Sequence, residues 1–295
     1  MSVSVAPAFN KPNDQVTIEP ISGAVGAEIH GIDISRTLRG DELDRLRSAL
    51  FEHGVLFFRD QTLTPDQHLA FARNFGPVNV NRFFAHVPDH PDIAEVRKEP
   101  DQKKNIGGGW HTDHSYDEAP ALGSALYARE VPPTGGDTLF ASMYAAYDAL
   151  SDGLKQTLET LRACHSSRHV FGLSSGRHLD KDISSRIKNP ELATQDAVHP
   201  VVIRHPGSGR PALYVNPSFT VRFDGWTEEE SRPLLDYLYR HASRPEFTCR
   251  FRWQPGSMAL WDNRATWHYA ANDYHGERRL MHRVTIGGTE LSARN

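Results

Sequence analysis

The chain has 295 residues, 38% of them hydrophobic and 24% charged, with a formal net charge of -4; this is an ordinary globular composition, long enough for one large core or two small ones. The absence of any basic block argues against a nucleic-acid partner, and no apolar run approaches the ~20 residues of a membrane span. Two cysteines, Cys164 and Cys249, cannot make a disulfide scaffold, and the opening stretch lacks the basic-then-apolar pattern of a secretory leader, so the expectation is a cytoplasmic protein.

Residues 1–15 are polar, carry two prolines and read as a flexible tail, with 16–295 forming a single domain. "VTIEPISGAVGAEIHGIDIS" mixes β-branched residues with glycine and proline in short strand-like pieces. Leu43, Leu46, Leu50 and Phe51 fall on one face and predict a helix over 41–53. "GVLFFRD" (54–60) predicts a short buried strand. A second helix follows over 64–76, with Thr64 as N-cap, Pro65 at the first helical position and Gly76 at the stop. From 77 to 140 the periods are short and strands are expected, whereas 142–163 reads as one or two helices. Residues 172–197 are polar and rich in breakers, too long for an ordinary connection, and are expected to be a mobile lid or disordered. Two strands joined by "PGSG" are expected over 199–216, a helix over 227–242 despite Pro233, and strands alternating with turns thereafter. Short strands with a few outer helices point to a sandwich or jelly roll.

His-x-Asp occurs three times, at His90–Asp92, His111–Asp113 and His178–Asp180, in a chain with 16 histidines. Spacing alone does not separate a metal site from a surface histidine followed by a turn aspartate. Context does. His90-Pro91-Asp92 lies in "VPDHPD", which reads as a turn. His178 and Asp180 lie in the polar 172–197 stretch, where no rigid element is expected. His111 and Asp113, in "WHTDHSY", fit a strand, on which residues two apart share a face and reach one metal ion. His268, in "WDNRATWHY", can supply a second imidazole. Two histidines and one carboxylate with open positions opposite suit non-haem Fe(II), and zinc hydrolysis could use the same ligands. In "RRLMHRVTI", Arg279, Met281, Arg283 and Thr285 share a face if this is a strand. Arg279 and Arg283 would then stand roughly 13 Å apart at about 3.3 Å per residue, each able to hold a different carboxylate. Arg278 and His282 fall on the opposite face.

"WHTD", "GGDTLFASMYAAYDALS", "WDNRATWHY" and "RRLMHRVTI", with "HPGSGRPALYVN" and "FTCRFRWQPG", resemble the Fe(II)/2-oxoglutarate-dependent dioxygenases of the taurine and 2,4-dichlorophenoxyacetate dioxygenase family. The resemblance runs from about Val16 to Gly288, with the motifs in family order. It implies a mainly β fold with outer helices, a double-stranded β-helix or distorted jelly roll. It implies His111, Asp113 and His268 as iron ligands, and Thr138 and Arg279 as the partners of the far carboxylate of 2-oxoglutarate. Arg283 matches the arginine that grips the substrate's anionic group, and Tyr116 and Phe219 match aromatic positions lining the substrate pocket. His114 is not a family ligand and is expected beside the site. Gly107 departs from taurine-type members, which carry a polar residue there; this leaves room for a bulkier acid than taurine. The reaction implied couples O2-dependent decarboxylation of 2-oxoglutarate to succinate and CO2 with hydroxylation of a small anionic organic substrate: a sulfonate, sulfate ester, aryloxyalkanoate or related carboxylate. A hydroxylated carbon bearing a sulfate, sulfonate or aryloxy group would then fragment to a carbonyl compound. The expected assembly is a homo-oligomer. A metal-dependent hydrolase and a non-catalytic jelly-roll binding protein remain as alternatives.

Overall fold

A computed structural model describes residues 16–293; the expected tail over 1–15 lies outside the described residues. The frame is a nine-stranded sheet. Its order is Thr17–Pro20, Ala27–His30, Val55–Phe58, Met258–Asp262, Gly123–Glu130, Arg279–Ile286, His90–Lys98 and His86–Val87, with Val78–Asn79 also paired to Arg279–Ile286. Alternation along its central strands sorts side chains between two cores. Leu56, Phe58, Ala125, Tyr127, Met258, Leu260, Val284 and Ile286 face outward into one apolar cluster. Val55, Phe57, Leu126, Ala128, Ala259, Trp261 and Met281 face inward into another, as the two-residue period of a strand requires.

The outward cluster is covered by helices Gly40–His53 and Pro65–Arg73, which bury Leu46, Ala49, Leu50, Leu69, Phe71 and Ala72 against it. The first helix begins where the Arg39 N–H donates to Glu42 Oε2 at 2.9 Å. It ends at Gly54, whose φ of 73° a side chain rarely adopts and where a Cβ would lie 2.6 Å from Thr266 Cγ2. The second is capped as expected: Thr64 Oγ1 accepts from the Gln67 N–H at 3.2 Å while Gln67 Oε1 accepts from the Thr64 N–H at 2.8 Å. It stops earlier than Gly76, because the Asn74 side chain donates to the Ala70 and Phe71 carbonyls and ends the ladder.

A three-stranded sheet, Thr248–Phe251, Thr138–Ser142 and Thr266–Ala270, closes over the inward face. Phe57 stacks on Phe251 with ring centroids 4.0 Å apart and meets Phe140 edge-on at 5.5 Å. A second three-stranded sheet (Asp196–Pro200, Arg162–Ser166, Thr220–Phe223), the hairpin Val202–Arg204 with Pro211–Leu213, and the short helices Met143–Asp148 and Asp152–Leu158 continue one side. Helix Glu228–Ala242 packs on them through Leu235 and Leu238; Pro233 costs it one backbone bond without ending it.

One expectation is corrected. "VPDHPD" is not all turn: the turn is over by Asp89 (φ 64°), and His90 opens strand His90–Lys98. Pro91 is tolerated because pairing to Arg279–Ile286 begins only at Ala94. Of the two readings of residues 172–197, disorder does not fit, since the segment has regular local structure. It forms three single turns of 3-10 helix, buries Ile183, Ile187 and Ala193, and enters a strand at Asp196. Among the described residues no helix is long and apolar enough to cross a membrane.

Candidate active site

His111 is not on a regular strand. It forms an isolated bridge with His268, each backbone N–H donating to the other's carbonyl at 3.1 and 2.8 Å. Asp113 and His114 (φ 60°) belong to the turn that follows. The carboxylate therefore reaches the imidazoles by a turn instead of by strand alternation. Thr112 Oγ1 donates to the Asn263 carbonyl at 2.6 Å and the Asp113 N–H lies 3.4 Å from Asn263 Oδ1, so the turn is pinned to the end of strand Met258–Asp262. His114 holds the other side, with Nδ1 2.9 Å from Asp117 Oδ2 and Nε2 3.2 Å from Asn81 Nδ2.

The result is a compact donor set. His111 Nε2 lies 3.8 Å from Asp113 Oδ1 and His268 Nε2 lies 3.7 Å from Asp113 Oδ2. This trio is the one group of metal-ligating side chains so placed among the described residues, and neither His90–Asp92 nor His178–Asp180 joins it. The His111 Nδ1–H donates to the Gly109 carbonyl at 2.7 Å, which leaves Nε2 its lone pair. Burial holds both imidazoles below their ordinary pKa, His268 well below it, with the neighbouring His111 adding to the effect. Burial would raise Asp113, but the Arg283 guanidinium holds its carboxyl well below the usual range. Two neutral imidazoles and an ionised carboxylate suit a divalent metal.

The trio opens into a cavity of about 640 Å³. Arg279, Met281 and Arg283 do share the inward face, and both arginines line the cavity, as does Thr138. Arg279 Nε donates to the Gly136 carbonyl at 3.2 Å while its buried Nη2 has no protein partner. Thr138 Oγ1 accepts from Trp253 Nε1 at 2.9 Å. Arg283 Nη1 donates to Asp113 Oδ2 at 3.1 Å, and its buried Nε and Nη2 are without partners. Buried guanidinium donors left open in this way fit an anionic ligand. On the opposite face, Arg278 pairs with Glu99 and Glu130 at the surface, and His282 accepts from Arg129 Nε at 3.2 Å.

Phe219 and Gly107 line the cavity. Gly107 has a φ of 83°, and a Cβ there would come 3.4 Å from His111 Cε1, so backbone shape as well as room favours glycine. Tyr116 does not reach the cavity: it is buried behind Phe219, edge-on at 4.9 Å, because the turn at His114 directs it into the aromatic cluster with Phe83 and Phe171. Phe84, Phe171, Asn105 and Arg177 also line the cavity, and Asn263 anchors the turn at Asp113. Asn263 stands inside "WDNRATWHY", near His268 in sequence, and so carries a local signal. The others come from separate loops, with no local signal to join them.

The model for the taurine catabolism dioxygenase TauD, TfdA family matches residues 17–285. The chain belongs to this dioxygenase family. It is 35% identical over 283 residues to an alkylsulfatase of Acinetobacter baylyi, covering 95% of this chain and 87% of that one. It is 35% identical to the alpha-ketoglutarate-dependent 2,4-dichlorophenoxyacetate dioxygenase of Cupriavidus pinatubonensis, covering 92% and 97%. Among solved structures, a putative alpha-ketoglutarate-dependent taurine dioxygenase from Burkholderia xenovorans superposes with a TM-score of 0.79 at 36% identity, over 94% of both chains. AAD-2, in complex with Mn(II) and N-oxalylglycine, superposes at 0.78 with 31% identity, over 93% and 98%. The protein is thus a 2-oxoglutarate-dependent dioxygenase using Fe(II) and O2, and the hydrolase and binding-protein alternatives are not favoured.

Proposed function

We propose that this TauD/TfdA-family dioxygenase hydroxylates a small organic acid, a sulfonate, sulfate ester, aryloxyalkanoate or related carboxylate, with succinate and CO2 as co-products. The observation that carries this reading is the pair of buried arginines, Arg279 and Arg283, whose open donors face the same cavity as His111, Asp113 and His268. In this reading the trio holds the iron, Arg279 and Thr138 hold the far carboxylate of 2-oxoglutarate, and Arg283 attracts the substrate's anionic group. When bound, the iron with 2-oxoglutarate supplies the activation of O2 that oxidises a C–H bond. The chain's own task is positioning and exclusion of water. Phe84, Phe171 and Phe219 form an apolar wall for the substrate's body, and Gly107 leaves space beside His111. The names of the relatives, which include sulfate esters and an aryloxyacetate as substrates, support this range of acids.

The two facing sheets we read as a double-stranded β-helix, forming a single domain over 16–295, with 172–197 as a lid. A cytoplasmic homo-oligomer acting without nucleic acid or membrane completes the reading. The test is oxygen uptake and succinate formation by the iron-loaded enzyme with 2-oxoglutarate, screened over the four acid classes. Acid-stimulated succinate release with equimolar oxidised product is expected. Equal turnover of neutral analogues would overturn the choice of substrate class.

A further inference from the structure

A third arginine lines the cavity. Arg177 sits in the single 3-10 turn Arg177–Leu179 of the 172–197 segment, far in sequence from Arg279 and Arg283. Among the described residues its guanidinium has neither hydrogen bond nor ion pair; only its backbone is engaged, the N–H donating to Ser175 Oγ at 3.2 Å. The carboxylate whose charge acts on it, Asp180, is already committed. Its Oδ2 accepts from Lys104 Nζ at 2.5 Å and its Oδ1 from the Asp182 N–H at 2.9 Å. Arg177 is half-buried, so it has lost part of its hydration without gaining a counter-charge in close contact. A cation in that state is completed by an anionic ligand.

Its place relative to the other two arginines defines what that ligand is. Arg283 is bonded to Asp113 at the metal end. Arg177 stands nearer solvent: it is only half-buried where Arg283 is buried, its neighbour Leu179 is exposed, and the exposed Lys104 that pairs with Asp180 lines the same cavity. Apolar side chains, Phe84, Phe171, Ile183 and Phe219, line the same cavity. The cavity therefore carries a guanidinium from the 172–197 segment in addition to Arg279 and Arg283 from strand Arg279–Ile286, with apolar side chains beside them.

We propose that Arg177 forms a second anion subsite at the mouth, selecting acids that carry a further anionic group at the end remote from the reacting carbon. This rests on the reading of the cavity as the site of an organic-acid hydroxylase. It adds that the preferred substrate is an elongated diacid, its inner anion near Arg283, its body along the phenylalanines and its outer anion on Arg177. Because Arg177 rides on 172–197, engagement of the outer anion also ties that segment to the bound substrate.

The experiment compares matched pairs in the iron-loaded enzyme with 2-oxoglutarate: hexyl sulfate with 6-sulfooxyhexanoate, hexanesulfonate with 6-sulfohexanoate, and phenoxyacetate with 4-carboxyphenoxyacetate. Succinate formation gives KM and kcat for each. The diacid of at least one pair is expected to have a KM lower by about ten- to a hundredfold, the range of one charge-assisted contact. Arg177→Ala should erase that preference without changing the KM for 2-oxoglutarate, and Arg177→Lys should restore part of it. A second readout is amide hydrogen exchange across 172–188 under nitrogen. The diacid should slow it in the wild type and leave it unchanged in Arg177→Ala. Acceptance of the monoacids with no advantage for any diacid would overturn this inference alone, as would a preference that survives in Arg177→Ala. Failure of all six acids to stimulate succinate formation would overturn the proposed substrate class and this inference with it.

Discussion

Asp113 has two partners that pull in one direction. It is a ligand candidate between His111 and His268, and it is ion-paired to Arg283 in a buried site. Replacing His111 or His268 by alanine should abolish turnover, whereas His90→Ala and His178→Ala, which lie outside the trio, should not; succinate assays on the folded variants check this. Arg279→Ala removes a buried guanidinium whose open donor suits a carboxylate, at a cost on the order of 3–5 kcal/mol. The 2-oxoglutarate KM should therefore rise by a hundredfold or more, and an unchanged value would refute the assignment. Arg283→Ala is expected to be less clean than strand geometry alone suggests. It removes the candidate substrate anchor and also unpairs Asp113, so iron affinity should weaken together with coupling, as titration of Fe(II) into the apo-variant would reveal.

At the scale of elements, the 172–197 segment is fastened to the loop that carries Gly107. Asp182 Oδ2 accepts from the N–H groups of Lys103 and Lys104 at 2.9 and 3.2 Å. The buried Arg186 donates to the carbonyls of Arg97 at 3.0 Å and Lys104 at 2.6 Å, as well as to Asp182 O. One side chain thus joins a strand, a loop and the segment over the cavity. Arg186→Ala leaves those carbonyls without their donor, so amide exchange across 177–188 should accelerate while the large sheet stays protected. Equal protection in both regions would show that the segment is held by its apolar contacts alone. The helix Pro65–Arg73 offers an independent control: Thr64→Ala should cost about 1 kcal/mol of unfolding free energy through loss of its cap, with no change in catalysis.

Across the whole molecule, acid stability is governed in part by histidines remote from the cavity. His68 is fully buried, its Nε2–H donating to the Ala125 carbonyl at 3.0 Å, and burial brings its pKa down to about 3. His282, on the same outward side of the sheet, is brought down to about 4 by burial and then by Arg129. An unfolded histidine titrates near 6.5. The unfolded state therefore binds more protons between about pH 6.5 and pH 3, and stability must fall as pH is lowered through that window. Its full value is present above pH 6.5. Urea unfolding at pH 7 and pH 4.5 should show a loss of a few kcal/mol, smaller in His68→Gln, whose side chain can donate the same bond without acquiring charge. A pH dependence identical in that variant would exclude His68 as a source.

What the sequence by itself determined was whatever depends on near neighbours in the chain. The two-residue period put Arg279, Met281 and Arg283 on one face, and the capping residue Thr64 began its helix. The motifs also singled out one His-x-Asp copy of three. Tertiary structure decided what depends on distant segments. The His111–His268 bridge, with the turn after it, brings Asp113 to the imidazoles where a strand was expected. Packing turned Tyr116 behind Phe219, and it ordered the polar stretch 172–197 through Arg186 and Asp182. The cavity wall joins Phe84, Phe171, Arg177 and Phe219, no two of which are fixed relative to each other by local propensity. The physical reason is common to all of these. Periodicity and capping are settled by bonds within a few residues, whereas a cavity is the space left when segments far apart in sequence bury their apolar sides.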